Sequence, residues 1–174
     1  MKKKVTMDDS HVTPTLCPVA RAEMVVGDRW TVLILRELFM GSHRFDEIQA
    51  QTDSTPQMIT ARLKKLEAEG LIERRLYNER PKRYEYHLTE KGEAFYPVIL
   101  ALRAWGETWC KAADEGRAIN YTHRECGGPA GLGAVCESCG RPLKRDELTA
   151  DLNPAYRGER DFRLQAFKEG RTRG

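Results

Sequence analysis

Four residues with metal-binding side chains lie close together in the segment HRECGGPAGLGAVCESCG. Two residues separate His123 from Cys126, two separate Cys136 from Cys139, and nine lie between the pairs. Two closely spaced ligand pairs joined by a loop are typical of a tetrahedral Cys3His zinc site. A glycine follows the second ligand of each pair, where it lets the backbone wrap around the sulfur. Because four protein ligands fill the coordination shell of Zn2+, we expect a structural metal rather than a catalytic one.

A disulfide and a chance cluster are the alternatives to a metal. Three thiols leave one unpaired, and thiols stay reduced in the cytoplasm, where we expect this chain to act without a membrane partner. The first residues, MKKKVTMDDS, lack the apolar run of a signal peptide, and the longest apolar stretch, TVLILRELF, is too short to cross a bilayer. The loop GGPAGLGAV has too few apolar side chains to form a core, so folding of this segment should depend on zinc.

Another cysteine, Cys17, directly precedes Pro18, a residue typical of the first turn of a helix. The partial positive charge at a helix N-terminus stabilises a thiolate, and Arg21, one turn further on, should add to that effect. Cys17 is therefore a candidate redox-sensing residue, with a buried structural cysteine as the alternative interpretation. Cys110 has no such surroundings, and we interpret it as a packing residue.

The elements that must position these groups begin with four predicted helices. Their segments are CPVARAEMVVG, DRWTVLILRELFMG, RFDEIQAQT and DSTPQMITARLKKLEAEG. Three of them end at a glycine, and their starts carry proline or a residue that caps helices, such as Asp28 and Ser54 or Thr55. In the fourth helix, Ile59, Leu63 and Leu66 recur at helical spacing and are predicted to form its buried face.

The period then changes to that of a β-strand. The segment GLIERRLYNERPKRYEYHLTEKG alternates apolar and polar residues on both sides of NERPK, which predicts a β-hairpin with a basic tip. Tyr84, Tyr86 and Leu88 should share one face of its second strand. Thr89 is expected to cap one long helix after the hairpin, with a bend at Pro97.

These elements divide the chain of 174 residues into four predicted parts. They are a flexible arm (1–15), a winged helix-turn-helix domain (16–113), a zinc-knuckle-like module (114–153) and a charged tail (154–174). The expected fold class is α+β, mainly helical with a two-stranded wing. We expect the tail either to pack on the knuckle as a short helix or to stay disordered. Because the net charge is only +3, a nucleic-acid surface must be a local patch.

Two short helices followed by a basic hairpin predict a winged helix-turn-helix, whose second helix fits the major groove. With Ile59 pointing inward, a rotation of about 100° per residue places Gln57, Ala61 and Lys64 on the free face. These side chains can contact base edges or phosphates. An ordinary solvated surface is the alternative. The full set of predicted DNA-binding residues is Thr55, Gln57, Met58, Thr60, Ala61, Lys64 and Lys65 in the helix and Arg80, Lys82 and Arg83 in the wing.

The segments CPVARAEMVVGDRWTVLILREL, RFDEIQ, TARLKKLEAEGLIERRLY, RYEYHLTEKG and LRAWGETW resemble the HxlR-type transcriptional regulators, relatives of the MarR proteins. The resemblance covers about residues 16–112. It implies a homodimeric bacterial DNA-binding regulator with its recognition helix at residues 55–69 and its wing at residues 77–83. The first and last helices of the domain would form the dimer interface. Cys17 matches a cysteine that senses oxidants or electrophiles, such as quinones and aldehydes, in several of these regulators.

We predict that residues Ile99, Leu102, Trp105 and Trp109 form the seam of this dimer, with packing only within the chain as the alternative. The predicted function is regulation of transcription, as a repressor, on a pseudo-palindromic operator, with duplex DNA as partner and a small electrophile or oxidant as effector. A protein-interaction module of the transcription machinery is the alternative, and it would show an apolar patch on the recognition helix, where Met58 is the single hint. An enzyme is not expected, because neither a positioned base nor an open coordination site is evident.

Overall fold

The computed structural model describes residues 15–172, so the arm predicted for residues 1–15 lies outside the described residues except for Thr15. The helices and strands follow the chain order of a winged helix with an extension. They are α1 (Pro18–Val26), α2 (Arg29–Phe39), α3 (Phe45–Thr52), α4 (Pro56–Ala68), β1 (Ile72–Glu79), β2 (Lys82–Leu88), α5 (Glu90–Glu93), α6 (Tyr96–Trp109), β3 (Ile119–His123), β4 (Leu148–Leu152) and α7 (Pro154–Thr172). None of these helices is long and apolar enough to cross a membrane.

Side-chain caps start the helices where the sequence predicts them. The Asp28 carboxylate accepts hydrogen bonds from the backbone N–H groups of Trp30 and Thr31, both at 3.1 Å. The Thr55 hydroxyl accepts one from Met58 N at 3.3 Å. Gly70 follows α4 with a φ of +70°, a conformation that favours glycine. Local sequence therefore sets the bounds of α2 and α4.

The core of the winged helix lies where α2, α3 and α4 meet. Ile59, Leu63 and Leu66 are buried, as predicted from their spacing. They pack in one cluster with residues from α2, α3 and α6, among them Leu35, Ile48 and Leu100. Burying side chains of this size stabilises a fold by about 1.5–3 kcal/mol each. Because these buried residues anchor α4 by one face, its opposite face is free to serve another purpose.

The predicted single helix with a bend at Pro97 is wrong. The chain instead forms two helices, α5 and α6, and Pro97 lies in the first turn of α6. Proline has no N–H to bond to a preceding carbonyl, so a new helix starts there more readily than an old one continues. Gly92 in α5 also packs tightly, since a Cβ there would lie 2.1 Å from the carbonyl oxygen of Leu71.

The extension beyond α6 is a small two-stranded antiparallel sheet followed by a helix. Strands β3 and β4 pair from Ile119 with Leu152 to His123 with Leu148. The tail forms the 19-residue helix α7. It packs against α3 of the winged helix, rather than on the knuckle as a short helix. The fold class is α+β, as predicted.

Candidate nucleic-acid interface and metal centre

The exposed face of α4 carries the residues predicted to meet DNA. Gln57, Thr60, Ala61 and Lys64 are exposed, whereas Met58 is half-buried. The Thr60 hydroxyl donates to the carbonyl of Pro56 at 2.7 Å, which leaves its oxygen as an acceptor. The face is polar, with no large exposed apolar side chain.

Two other predicted residues of this helix have structural partners. The Thr55 hydroxyl serves as the cap of α4, although the residue is exposed. The Lys65 ammonium group donates to the carbonyl of Met24 in α1 at 2.7 Å, so this side chain extends towards α1. Sequence spacing could not show this contact, because α1 and α4 are 29 residues apart along the chain.

The tip of the wing is basic and exposed. Arg80, Lys82 and Arg83 are all exposed, and none of them forms an ion pair with a described acidic residue. The Asn78 amide donates to the carbonyls of Arg80 and Pro81, at 3.3 and 3.1 Å, and so holds the turn. Three uncompensated cations at the end of a hairpin suit contact with phosphates.

The base of the wing is tied to α3 by contacts that the sequence did not reveal. The Arg44 guanidinium lies 3.1 Å from the Glu85 carboxylate and stacks over the Tyr77 ring, 4.6 Å from its centroid. The hydrogen bond from Arg44 holds the pKa of Glu85 below its usual value. His43 Nδ1 lies 3.0 Å from the carbonyl oxygen of Tyr86. These contacts fix the orientation of the wing relative to the helix-turn-helix.

The predicted dimer seam is partly exposed. Trp109, Trp105 and Leu102 on α6 expose 74%, 61% and 47% of their surface, whereas Ile99 is half-buried against the core. Large apolar side chains are also exposed at Leu16, just before α1, and at Val19 and Met24 within it. Apolar patches of this kind on a monomer mark interaction surfaces.

The four predicted metal ligands meet at one point. His123 Nδ1 lies 3.4 Å from the Sγ atoms of both Cys126 and Cys139, and Cys126 Sγ lies 3.7 Å from Cys136 Sγ. One ligand atom from each of the four residues lies within 4.8 Å of the others. Tetrahedral Zn2+, with bonds of about 2.3 Å to sulfur and about 2.0 Å to nitrogen, needs ligand atoms about 3.5–3.8 Å apart. The donor set and its spacing therefore fit Zn2+.

Two similar turns build this ligand cluster. The N–H of Gly127 donates to the carbonyl of His123, and the N–H of Gly140 donates to that of Cys136, both at 2.8 Å. Both glycines have positive φ, +69° and +73°, as the sequence predicts. Hydrogen bonds from Arg141, its backbone N–H first, lower the pKa of the Cys139 thiol to about 6. A thiolate is the form of cysteine that binds metals.

The buried imidazole of His123 has an acidic neighbour that sequence analysis missed. His123 is fully buried, and its Nε2 atom has no hydrogen-bond partner among the described residues. Glu147 Oε2 lies 3.7 Å from this atom, and Lys144 holds the other carboxylate oxygen at 3.2 Å. A carboxylate behind the far nitrogen of a histidine is typical of metal ligands, whose tautomer it sets.

The cysteine-rich module is docked on α6 through Arg103. Its guanidinium donates to the carbonyls of Gly131 and Leu132, in the loop between the ligand pairs, at 3.1 and 3.3 Å. It also donates to the carbonyl of Ile119 at 2.5 Å and lies over the Tyr121 ring. The ligand loop is thereby joined to the helix that carries the predicted dimer seam.

The two cysteines outside the cluster are both exposed free thiols. Cys17 stands at the N-cap of α1 with no side-chain hydrogen bond to the helix. The Arg21 guanidinium, expected beside the thiolate, donates to the carbonyl of Thr15 at 2.6 Å. Cys110 is exposed at the end of α6, so its interpretation as a packing residue is wrong.

Comparisons with known proteins agree in relating this chain to helix-turn-helix transcriptional regulators. The family model described as HxlR-like helix-turn-helix matches residues 25–114. An uncharacterised HTH-type transcriptional regulator of Mycobacterium tuberculosis is 34% identical over 141 residues, which cover 81% of this chain and 89% of the relative. Another, from Methanothermobacter thermautotrophicus, is 41% identical over 103 residues, 59% of this chain and 76% of the relative. At 141 residues, the alignment with the Mycobacterium tuberculosis relative is longer than the winged helix, so it extends beyond that domain.

Solved structures show the same similarity. The crystal structure of PA1607, described as a candidate transcription factor, is 34% identical with a TM-score of 0.61, covering 79% of this chain and 96% of that one. The redox regulator HypR in its oxidised form is 34% identical with a TM-score of 0.51, covering 55% of this chain and all of that one. The descriptions of these relatives and neighbours name transcriptional or redox regulators and no enzyme.

Proposed function

Because this chain belongs to the HxlR-like helix-turn-helix family of transcriptional regulators, we propose that it binds a specific operator as a homodimer and represses transcription there. The observation that carries the proposal is the division of α4 into two faces. Ile59, Leu63 and Leu66 are buried, whereas Gln57 and Lys64 on the other side are exposed. A helix anchored by one face and polar on the other suits insertion into the major groove.

The exposed side chains on the free face of α4 have defined roles in this proposal. The Gln57 amide pairs with an adenine edge, Ala61 allows close approach or meets a thymine methyl group, and Lys64 contacts guanine or phosphate. Thr55, Met58, Thr60 and Lys65 border this face. The wing residues Arg80, Lys82 and Arg83 contact phosphates or the adjacent minor groove.

The exposed apolar surfaces of α1 and α6 support the proposed dimerisation. Burying Leu102, Trp105 and Trp109 against a second copy would remove the largest exposed side chains of α6 from water. One recognition helix contacts too few base pairs to be selective, whereas two helices about one turn of DNA apart recognise a pseudo-palindrome.

We also propose that His123, Cys126, Cys136 and Cys139 hold a structural Zn2+. Bound zinc supplies folding free energy to a segment whose own apolar content is small. Glu147 would orient the imidazole of His123 through its Nε2–H. Through its hydrogen bonds to the ligand loop, Arg103 would hold this ordered module against α6.

A response to oxidants or electrophiles is proposed for Cys17. Its thiol is exposed at a helix N-terminus, and the structurally similar HypR is a redox regulator. Modification there would add bulk at the start of α1, beside the proposed dimer interface.

The experiment that tests the function is selection of duplexes from a random pool by the wild-type protein, followed by fluorescence anisotropy titrations. Lys64→Ala should weaken binding to all duplexes and make the salt slope less steep by about 1 for each lysine removed, whereas Gln57→Ala should relax base preference by about 1–3 kcal/mol at one position of each half-site. If the wild-type protein enriches no sequence, the operator proposal is wrong, and an interaction module that does not recognise sequence is favoured instead.

A further inference from the structure

The helix α7 has no place in the proposed recognition surface, yet it lies beside that surface. Its Leu164, Phe167 and Lys168 line a groove of about 610 Å3 together with wing residues that include Lys82 and Arg83. Nearer its middle, Phe162 and Arg163 border a second groove with Asp53 and Ser54, in the turn between α3 and α4. The C-terminal half of α7 therefore spans the distance between the helix-turn-helix turn and the wing.

Contacts with α2 and α3 hold α7 in this position. Arg160 forms two hydrogen bonds to the Glu37 carboxylate, at 2.8 and 2.7 Å. The Gln51 amide donates to the carbonyl of Arg160 at 2.8 Å, and Arg163 donates to the carbonyl of Gln51 at 3.2 Å. A helix anchored by its middle presents its C-terminal residues at a fixed distance from α4.

The charges along α7 are compensated unequally. Arg157 lies 4.0 Å from Asp151, and Arg163 lies 2.7 Å from Glu159. Arg160 is paired with Glu37. Lys168 is exposed and forms no ion pair with a described residue, as is also true of Lys82 and Arg83 across the groove. Lys168, Lys82 and Arg83, none of which forms an ion pair with a described residue, thus line one groove.

We propose that the C-terminal half of α7 and the wing form one phosphate-binding surface, on which Lys168 contacts the DNA backbone flanking the recognised bases. This inference rests on the proposed function, since it needs duplex DNA against α4. Two acidic residues, Asp46 and Glu47, also line the groove. The Glu47 carboxylate is held at 3.2 Å by the backbone N–H of Arg44 and serves as part of the α3 cap.

The choice of DNA as the partner follows from the charge pattern. Lysine acts towards phosphate as a point charge and needs no exact partner geometry. Such a contact suits an exposed residue near the end of a helix. Each neutralised phosphate releases condensed counterions, which gives the contact a measurable salt dependence. Such contacts strengthen binding and set its register, but they do not distinguish one sequence from another.

The test compares Lys168→Ala with wild type on two duplexes that carry the same selected site. One duplex ends at the selected bases, and the other extends about half a helical turn, roughly 5 base pairs, on each side. Wild type should bind the extended duplex several-fold more tightly, and Lys168→Ala should lose that gain. In Lys168→Ala, the negative slope of log K against log salt should become less steep by about 0.9 for each lysine removed. For a dimer, wild type should lose about tenfold more affinity than the variant between 50 and 200 mM salt.

Arg157→Ala is the matched control, because it removes an exposed cation from the first turns of the same helix and should leave both measurements unchanged. Lys168→Arg should behave as wild type. If Lys168→Ala keeps the wild-type slope and the wild-type gain on the long duplex while Lys64→Ala weakens binding, this inference is wrong and the proposed function stands. If the pool yields no selected site, the salt slopes on a random duplex still decide whether Lys168 contacts phosphate.

Discussion

Removing Arg160 should reveal how strongly α7 is anchored to the winged helix. Its partner Glu37 is fully buried in α2, and 15% of the Arg160 side chain is exposed. Burial alone would raise the pKa of Glu37, but hydrogen bonds from Arg160 and the charges of Arg36 and Arg160 outweigh it, so that the pKa lies below its usual value. Arg160→Ala removes the stronger part of that compensation.

The expected loss of stability follows from the contacts that remain. Breaking a buried ion pair by deleting one partner costs about 3–5 kcal/mol. Glu37 would keep Arg36 at 2.8 Å and the Ser42 hydroxyl at 3.2 Å, so we expect a smaller loss of about 2–3 kcal/mol, just below that range. Urea unfolding of the full-length protein at neutral pH, followed by circular dichroism, measures it.

The dependence of this loss on pH tests the electrostatic explanation. In wild type the lowered pKa of Glu37 contributes stability above the unfolded-state pKa, and that stability is lost as the pH falls through the folded-state value. In Arg160→Ala the uncompensated burial should raise the pKa of Glu37, so the carboxyl group becomes neutral sooner. The difference in unfolding free energy between the two proteins should therefore shrink as the pH falls towards 4.

A double variant provides the control for packing. Glu37→Met with Arg160→Leu removes both charges and keeps apolar volume, and it should stay within about 1 kcal/mol of wild type, since well-packed apolar replacements of buried ion pairs are often neutral. A loss below about 0.5 kcal/mol for Arg160→Ala at neutral pH, the range of ordinary surface changes, would refute the reasoning. So would a loss of the same size at every pH.

Three further predictions concern the cysteines and the dimer. Cys136→Ser should lower bound zinc, measured by atomic absorption, and loosen residues 121–148 in hydrogen exchange while sparing α4; unchanged metal content would exclude the proposed ligand set. Cys17→Ser should bind DNA normally but resist its release by a quinone or aldehyde, measured by anisotropy, and a wild-type protein insensitive to these reagents would end the sensor proposal. Trp105→Glu should shift sedimentation towards the monomer, because it places a charge in the proposed apolar interface. If this variant dimerises with wild-type affinity, the interface must lie elsewhere.

The local features of this protein were accessible from its sequence, because each depends on residues a few positions apart. The caps at Asp28 and Thr55 and the buried stripe from Ile59 to Leu66 follow from hydrogen-bonding capacity and helical spacing. The ligand cluster followed from two short spacings and two glycines. In each case the signal and the structure occupy the same short segment.

Tertiary structure alone decided which distant segments meet. Arg160 and Glu37 are 123 residues apart, and nothing near either residue indicates the other. The same holds for Lys65, whose ammonium group is directed to α1 by a carbonyl 41 residues away, and for Arg103, which joins α6 to the ligand loop. Local sequence encodes helices and turns through short-range sterics and hydrogen bonds, whereas the partner of a buried charge is settled only when the whole core excludes water.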